Sequence, residues 1–205
     1  MPFATNVFVN CPFDSEYRPL LRALLFTILD LGFEPRLTLE RLNSGETRIA
    51  KILELIEDAK FGVHDLSRVQ AAAAGEFYRL NMPFELGLDM ACRLYKTGQW
   101  IEKKCLVLGA EAFDYQAAIS DLAGSDIRSH KGRPSLLTAA VRNWLNAEAS
   151  LGAIGPAAVW SRFNDFMADN FDNLRARGFS RADIRDLEPA ELVFEMKAWI
   201  LGHPA

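Results

Sequence analysis

Apolar residues recur along the chain in two alternating periods. Asn6-Val7-Phe8-Val9-Asn10 is a short β-branched and aromatic run that predicts a buried strand. Cys11-Pro12-Phe13-Asp14 ends it, because proline cannot continue a central strand. Leu20, Leu21, Leu24, Leu25, Ile28 and Leu31 keep helical spacing, with Ser15 as candidate cap and Gly32 as stop. Phe33 to Leu39 is a second strand candidate, weakened by Pro35. Asn43-Ser44-Gly45-Glu46 predicts a turn and the start of a helix carrying Ile49, Ile52, Leu53 and Ile56 on one face. Phe61 to Leu66 reads as a third strand, and a polar, alanine-containing loop follows it to about Leu80. A helix opens at Asn81-Met82-Pro83, and Cys105 to Leu108 is a fourth strand. A short helix near Tyr115 to Leu122, a fifth strand over Asp126 to His130 and a helix over Leu136 to Leu145 complete the alternation.

Strands alternating with amphipathic helices predict a parallel sheet covered on both faces, here a flavodoxin-like, doubly wound α/β fold of about five strands. Beyond Gly155 the pattern is purely helical. Trp160, Phe163, Phe166 and Met167 share one stripe, Leu192, Met196 and Trp199 another, and Ser180 with Asp183 reads as a capping pair. Residues 1–155 are therefore expected to form the α/β domain and residues 156–205 a C-terminal helical extension.

Composition narrows the function classes. The 205 residues are 50% hydrophobic and 24% charged, with a net charge of −4. That balance lacks the clustered basic excess of a broad nucleic-acid surface. Cys11, Cys92 and Cys105 are odd in number and widely spaced, which suits reduced thiols better than a disulfide framework or a zinc site. The start of the chain has no signal-peptide pattern, and the apolar runs are too short and too mixed to span a bilayer. A cytoplasmic location, with no membrane partner, is the expectation.

In open α/β sheets ligands bind beyond the carboxyl ends of the strands, where strand order reverses. That rule selects three loops: Asn10, Cys11, Pro12 and Phe13 after the first strand; 42–48 after the second; and 65–81 after the third. Glu85 lies at the start of the helix that the third loop enters, with Asn81 as its expected N-cap and Pro83 tolerated in the first turn. Burial would raise its pKa and the helix N-terminus would lower it, so it can serve as a proton donor or as a fixed anion. Spacing alone favours an ordinary first-turn glutamate, stabilised by the helix dipole. Gly87 would allow close approach of a strand or ligand. Asp65 can bind a ribose hydroxyl, a metal or a helix N-terminus, and a structural capping role describes it at least as well. Ser44, Gly45 and Arg48 could hold a phosphate, and Arg79 is a second anion contact or a surface arginine. His64 reads as a satisfied core histidine, and His130 and His203 as isolated. Cys11 as a nucleophile lacks a histidine partner in the sequence. A metal-dependent phosphoesterase using Asp65, Glu85 and Asp14 has no supporting ligand spacing.

The segment Phe61-Gly62-Val63-His64-Asp65-Leu66-Ser67, a variable loop, and Asn81-Met82-Pro83-Phe84-Glu85-Leu86-Gly87-Leu88 resemble a signature of bacterial TIR-like domains and of nucleoside 2-deoxyribosyltransferase-like proteins. Val7-Phe8-Val9-Asn10-Cys11-Pro12-Phe13 is similar to their first strand and its Pro-Phe turn. The resemblance covers roughly residues 5–130. It implies a pocket for a nucleoside, a nucleotide or NAD, the last as substrate rather than cofactor. Glu85 would face the anomeric carbon as an N-glycosidic bond breaks, Asp65 and Ser67 would sit near the base or ribose, and Asn81 would orient the site. Met82-Pro83 departs from the deoxyribosyltransferases proper. Many TIR-like domains bind or scaffold without turnover, so a nucleotide sensor and a homo-oligomer remain alternatives.

Overall fold

The computed structural model describes residues 2–40, 45–68, 80–111, 119 and 127–204. Five parallel strands form one sheet in the order β2-β1-β3-β4-β5: β1 (Asn6–Asn10), β2 (Glu34–Arg36), β3 (Phe61–Asp65), β4 (Lys104–Gly109) and β5 (Arg128–Ser129). The α/β flavodoxin-like class expected from the sequence is what the chain forms. Helices α1 (Arg18–Asp30), α2 (Arg48–Glu57), α3 (Asn81–Tyr95) and α4 (Pro134–Ala149) flank the sheet.

Side-chain alternation along the strands separates two cores. Val7, Val9, Phe61, Val63, Leu106 and Leu108 pack on the α1 and α4 side. Phe8 points the other way, against Ile52, Leu55 and Ile56 of α2 and Cys92 of α3. The same parity sends Gly62 and His64 to the α2–α3 face and Asp65 to the α1 face, where the Tyr17 hydroxyl meets it.

Helices α5 (Pro156–Ala176), α6 (Arg181–Arg185) and α7 (Pro189–Gly202) form a further layer on α1 and α4. They have no core of their own: Phe163, Phe166, Leu192 and Met196 belong to the same buried cluster as α1. Phe26 of α1 joins the layers, with ring centroids 5.6 Å from Phe163, 5.5 Å from Phe166 and 5.9 Å from Trp199. Ser180 and Asp183 form a reciprocal capping box on α6.

Several expected boundaries move. Helix α1 starts at Arg18 rather than after Ser15, because the Asp14 carboxylate binds the Tyr17 N–H in a preceding turn and Pro19 suits the first helical turn. The second strand shrinks to Glu34–Arg36, and the fifth to Arg128–Ser129. In α2 the cap is Thr47, whose side chain accepts the Ala50 N–H. Ile49 and Leu53 are 41% and 40% exposed, so the buried face turns towards Ile52, Leu55 and Ile56. Asn81 is not an N-cap: the chain enters α3 through Leu80 in right-handed helical conformation, whereas a side-chain cap needs an extended residue there. Ser44, Arg79 and most of the helix expected near Tyr115 to Leu122 lie outside the described residues.

Candidate functional site

Strand order reverses between β1 and β3. The former leads to α1 on one face and the latter to α3 on the other, which makes their carboxyl ends the topological switch point of the sheet. The last paired residues there are Asn10 and His64. Asn10 is 1% exposed, and its Nδ2 donates to the Met82 carbonyl at 2.8 Å and lies 3.0 Å from His64 Nδ1. The carbonyl contact fixes the amide orientation, so His64 Nδ1 accepts and His64 Nε2 donates to Asp89 Oδ2 at 2.9 Å.

Glu85 sits one turn beyond Met82 on the same inward stripe of α3 and is 3% exposed. The exposed Arg48, at the start of α2, approaches its Oε1 to 3.5 Å. Burial raises the Glu85 pKa above the ordinary carboxylate value, against the opposing pull of Arg48. Among the described residues four buried acceptors make no hydrogen bond: Glu85 Oε1, Asn10 Oδ1, Asn6 Oδ1 and Asp89 Oδ1. Of these, Glu85 has only the longer contact to Arg48, and Asp89 has a close cation in Lys103.

Asp65 is different. It is fully buried, and every nearby donor is aimed at it: the Tyr17 hydroxyl and His130 Nε2 at Oδ2, 2.5 and 3.0 Å away, and the Ser67 N–H and hydroxyl at Oδ1. Burial opposes its charge, but hydrogen bonds from His130, Ser67 and Tyr17 outweigh that and hold its carboxyl below the usual range. His130 is thus no isolated histidine; it ties the end of β5 to the end of β3. The Gly132 N–H reaches His130 Nδ1, so the proton lies on Nε2, facing Asp65. The ring has no free nitrogen to take a proton from Ser67, so these three residues do not make a nucleophilic triad.

Asp65 and Glu85 therefore lie on opposite faces of the sheet, at the same end. They flank Cys11, whose thiol is pushed well up by burial and then by the charges of Asp65, Glu85 and Asp14. A thiol held protonated in this way is a poor nucleophile. Pro12 is buried, and the half-buried Phe13 packs on the α1 core. Gly45 and Asn81 are exposed. Three cavities are lined by neither Asp65 nor Glu85.

Beneath Glu85, on the same helix face, lies a second buried polar group that the sequence reading missed. Lys103 and Asp89 are both fully buried and 2.9 Å apart, and Lys103 Nζ also donates to the carbonyls of Ile56 and Ala59. Burial opposes the Asp89 charge, but His64 and then Lys103 hold its carboxyl below the usual range. Cys105 Sγ donates to Asp89 Oδ2 at 3.4 Å. His64, Asp89 and Cys105 place potential ligand atoms within 4.8 Å of one another. His64 and Cys105 both spend their protons on one Asp89 oxygen, and Lys103 already supplies the counter-charge on the other. The set is complete as a hydrogen-bonded charge cluster, and burial and the Asp89 charge hold the Cys105 thiol well above its ordinary pKa, against the deprotonation a metal would need. The phosphoesterase set fares worse. Asp65 is saturated on one face, Glu85 is on the other, and Asp14 accepts the Tyr17 N–H and pairs with Arg68.

Gly62, not Gly87, is the close-approach glycine. A Cβ at Gly62 would lie 2.2 Å from Asp89 Oδ2 and 2.8 Å from His64 Nε2, whereas one at Gly87 meets nothing within 4 Å. Gly62→Ala is expected to destabilise by about 1–3 kcal/mol through overpacking, and Gly87→Ala to cost nothing. Urea midpoints of the two variants check this.

No family model, curated protein or solved structure matches the chain.

Proposed function

We propose that the switch point at the carboxyl ends of β1 and β3 binds a nucleoside, nucleotide or NAD-like ligand through its sugar, with Glu85 beside the anomeric carbon. One observation carries this reading. Glu85 Oε1 and Asn10 Oδ1 are buried acceptors with no hydrogen bond among the described residues, and the cation nearest Glu85 is the exposed Arg48, 3.5 Å away. Asp65, by contrast, is saturated with donors, and Asp89 Oδ1, also without a hydrogen bond, has the buried Lys103 at 2.9 Å. Buried acceptors left unpaired call for an explanation, and a ligand that brings hydroxyl donors supplies one. Ribose offers vicinal hydroxyls. As the N-glycosidic bond breaks, the ring carbon becomes oxocarbenium-like and a nearby carboxylate stabilises it. Desolvation raises the Glu85 pKa, and Arg48 opposes that rise and favours the anion. Asn10 orients the start of α3 through its bond to Met82. Asp65 acts as a buckle that ties Tyr17, Ser67 and His130 beneath the loops and does not itself touch the ligand.

The test is incubation with NAD and a panel of ribo- and deoxyribonucleosides, followed by chromatography for the free base. The expected result is base release that Glu85→Gln abolishes and Glu85→Asp retains in part. Turnover unchanged by Glu85→Gln, or no binding of any of these compounds, contradicts the reading. Binding without base release favours a nucleotide sensor built on the same site.

A further inference from the structure

The described charges balance poorly at one place, where the helical layer meets the α/β layer. A cavity of about 680 Å³ lies between α1, the start of α4, α5 and the end of α6. Its volume is within the range of small-molecule sites. Trp160, Phe163 and Met167 line its apolar side, with the Trp160 and Phe163 ring centroids 5.4 Å apart. Arg18, Arg22 and Arg185 line the other side, and among the described residues that line the cavity the one carboxylate is Asp186.

That carboxylate is shared. Arg18 Nη1 reaches Asp186 Oδ1 at 2.7 Å, and Arg185 Nη2 reaches Oδ2 at 2.8 Å. Arg22 spends one nitrogen, Nη2, on the carbonyls of Ile184 and Arg185 at the end of α6, 2.9 and 3.0 Å away. Burial and then the neighbouring Arg18 charge pull its pKa down, as expected of a guanidinium with too little anion nearby. Three guanidiniums thus face one carboxylate beside an aromatic wall. A guanidinium fork matches phosphate oxygens, and a tryptophan face takes a flat ring.

We propose that this cavity is a second ligand site, taking a small organic phosphate with a flat ring, the ring against Trp160 and the phosphate among Arg18, Arg22 and Arg185. It lies on the α1–α4 face, away from Glu85 on the α2–α3 face, and does not depend on the glycosidic reading. Asp186 occupies part of the anion position and competes with the ligand.

The test uses the full chain labelled with ¹⁵N-tryptophan, with the Trp160 indole resonance assigned by its loss in Trp160→Phe, and ADP as the probe. ADP is expected to shift that resonance saturably, and to bind more tightly than either adenosine or inorganic phosphate. Arg185→Ala is expected to weaken ADP about tenfold, the size of one charge-assisted hydrogen bond. Asp186→Asn is expected to tighten it, an opposite sign that a merely structural role for these exposed side chains would not produce. Glu85→Gln should leave the response intact. An unmoved Trp160 resonance, equal affinity for adenosine, no effect of both Arg185→Ala and Asp186→Asn, or loss of the response in Glu85→Gln would each overturn the proposal.

Discussion

Lys103→Met is expected to cost about 3–5 kcal/mol of folding stability, a large share of what a domain of this size holds. The substitution keeps the volume and removes the charge. It leaves the Asp89 carboxylate at zero exposure without its cation, and takes the donor from the carbonyls of Ile56 and Ala59 at the end of α2. The neighbours cannot compensate, because His64 Nδ1 is occupied by Asn10 and Cys105 holds its proton. Urea unfolding followed by circular dichroism should show a lower midpoint at unchanged slope. Adding Asp89→Leu to Lys103→Met should recover part of the loss, because both buried charges are then gone. The pH dependence follows from the lowered Asp89 pKa. The folded state binds fewer protons than the unfolded one, so this stabilisation is present above the ordinary aspartate range and is lost as pH falls through the depressed value. Lys103→Met should therefore flatten the acid limb of the stability curve.

The second large effect has the opposite character. Glu85→Gln is expected to remove nucleoside handling, by about 100-fold or more in turnover if the carboxylate acts at the anomeric carbon, while leaving the fold at least as stable at pH 7. The sign follows from the raised pKa. The folded state binds more protons at this group than the unfolded state, so its contribution is fully present below the ordinary glutamate value and is lost as pH rises through the raised one. At neutral pH the charged form is the costly form, and a neutral amide of the same shape relieves that cost. Thermal melts of both proteins between pH 4 and pH 8 should converge at the acid end and separate in favour of Glu85→Gln towards neutrality.

Much of this arrangement is legible in the amino-acid order. The β-branched and aromatic runs Asn6–Asn10 and Phe61–Asp65 and the period-3.6 Leu20–Leu29 face of α1 are strong signals, and the alternation of such elements gives the fold class. Boundaries set by one side chain are harder. Whether Asp14 or Ser15 organises the α1 entrance depends on the Tyr17 N–H, which only the folded turn presents. The polar core is harder still. Lys103 follows a surface 3-10 turn and precedes a strand, and nothing local distinguishes it from the exposed Lys104. Asp89 did carry a signal: it falls on the stripe Met82, Glu85, Leu86, Asp89 and Cys92, where two acids interrupt an apolar face. Acids at such positions must find partners on another element, here His64 on β3 and Lys103 before β4. Asp65 looked like a ligand group because the motif ends there. Strand alternation turns it onto the α1 face, where Tyr17, Ser67 and His130 consume it.

On the proposed reading, Glu85 is a buried acid whose missing hydrogen bond is made by a ligand. The most direct measurement pairs calorimetry with thermal unfolding on Glu85→Gln, using NAD and a purine nucleoside as the titrants. The expected result is loss of binding to at least one of these ligands together with an unchanged or higher melting temperature at pH 7. Unaltered affinity for both, or a melting temperature lower by several degrees, would make Glu85 a structural glutamate and contradict the account.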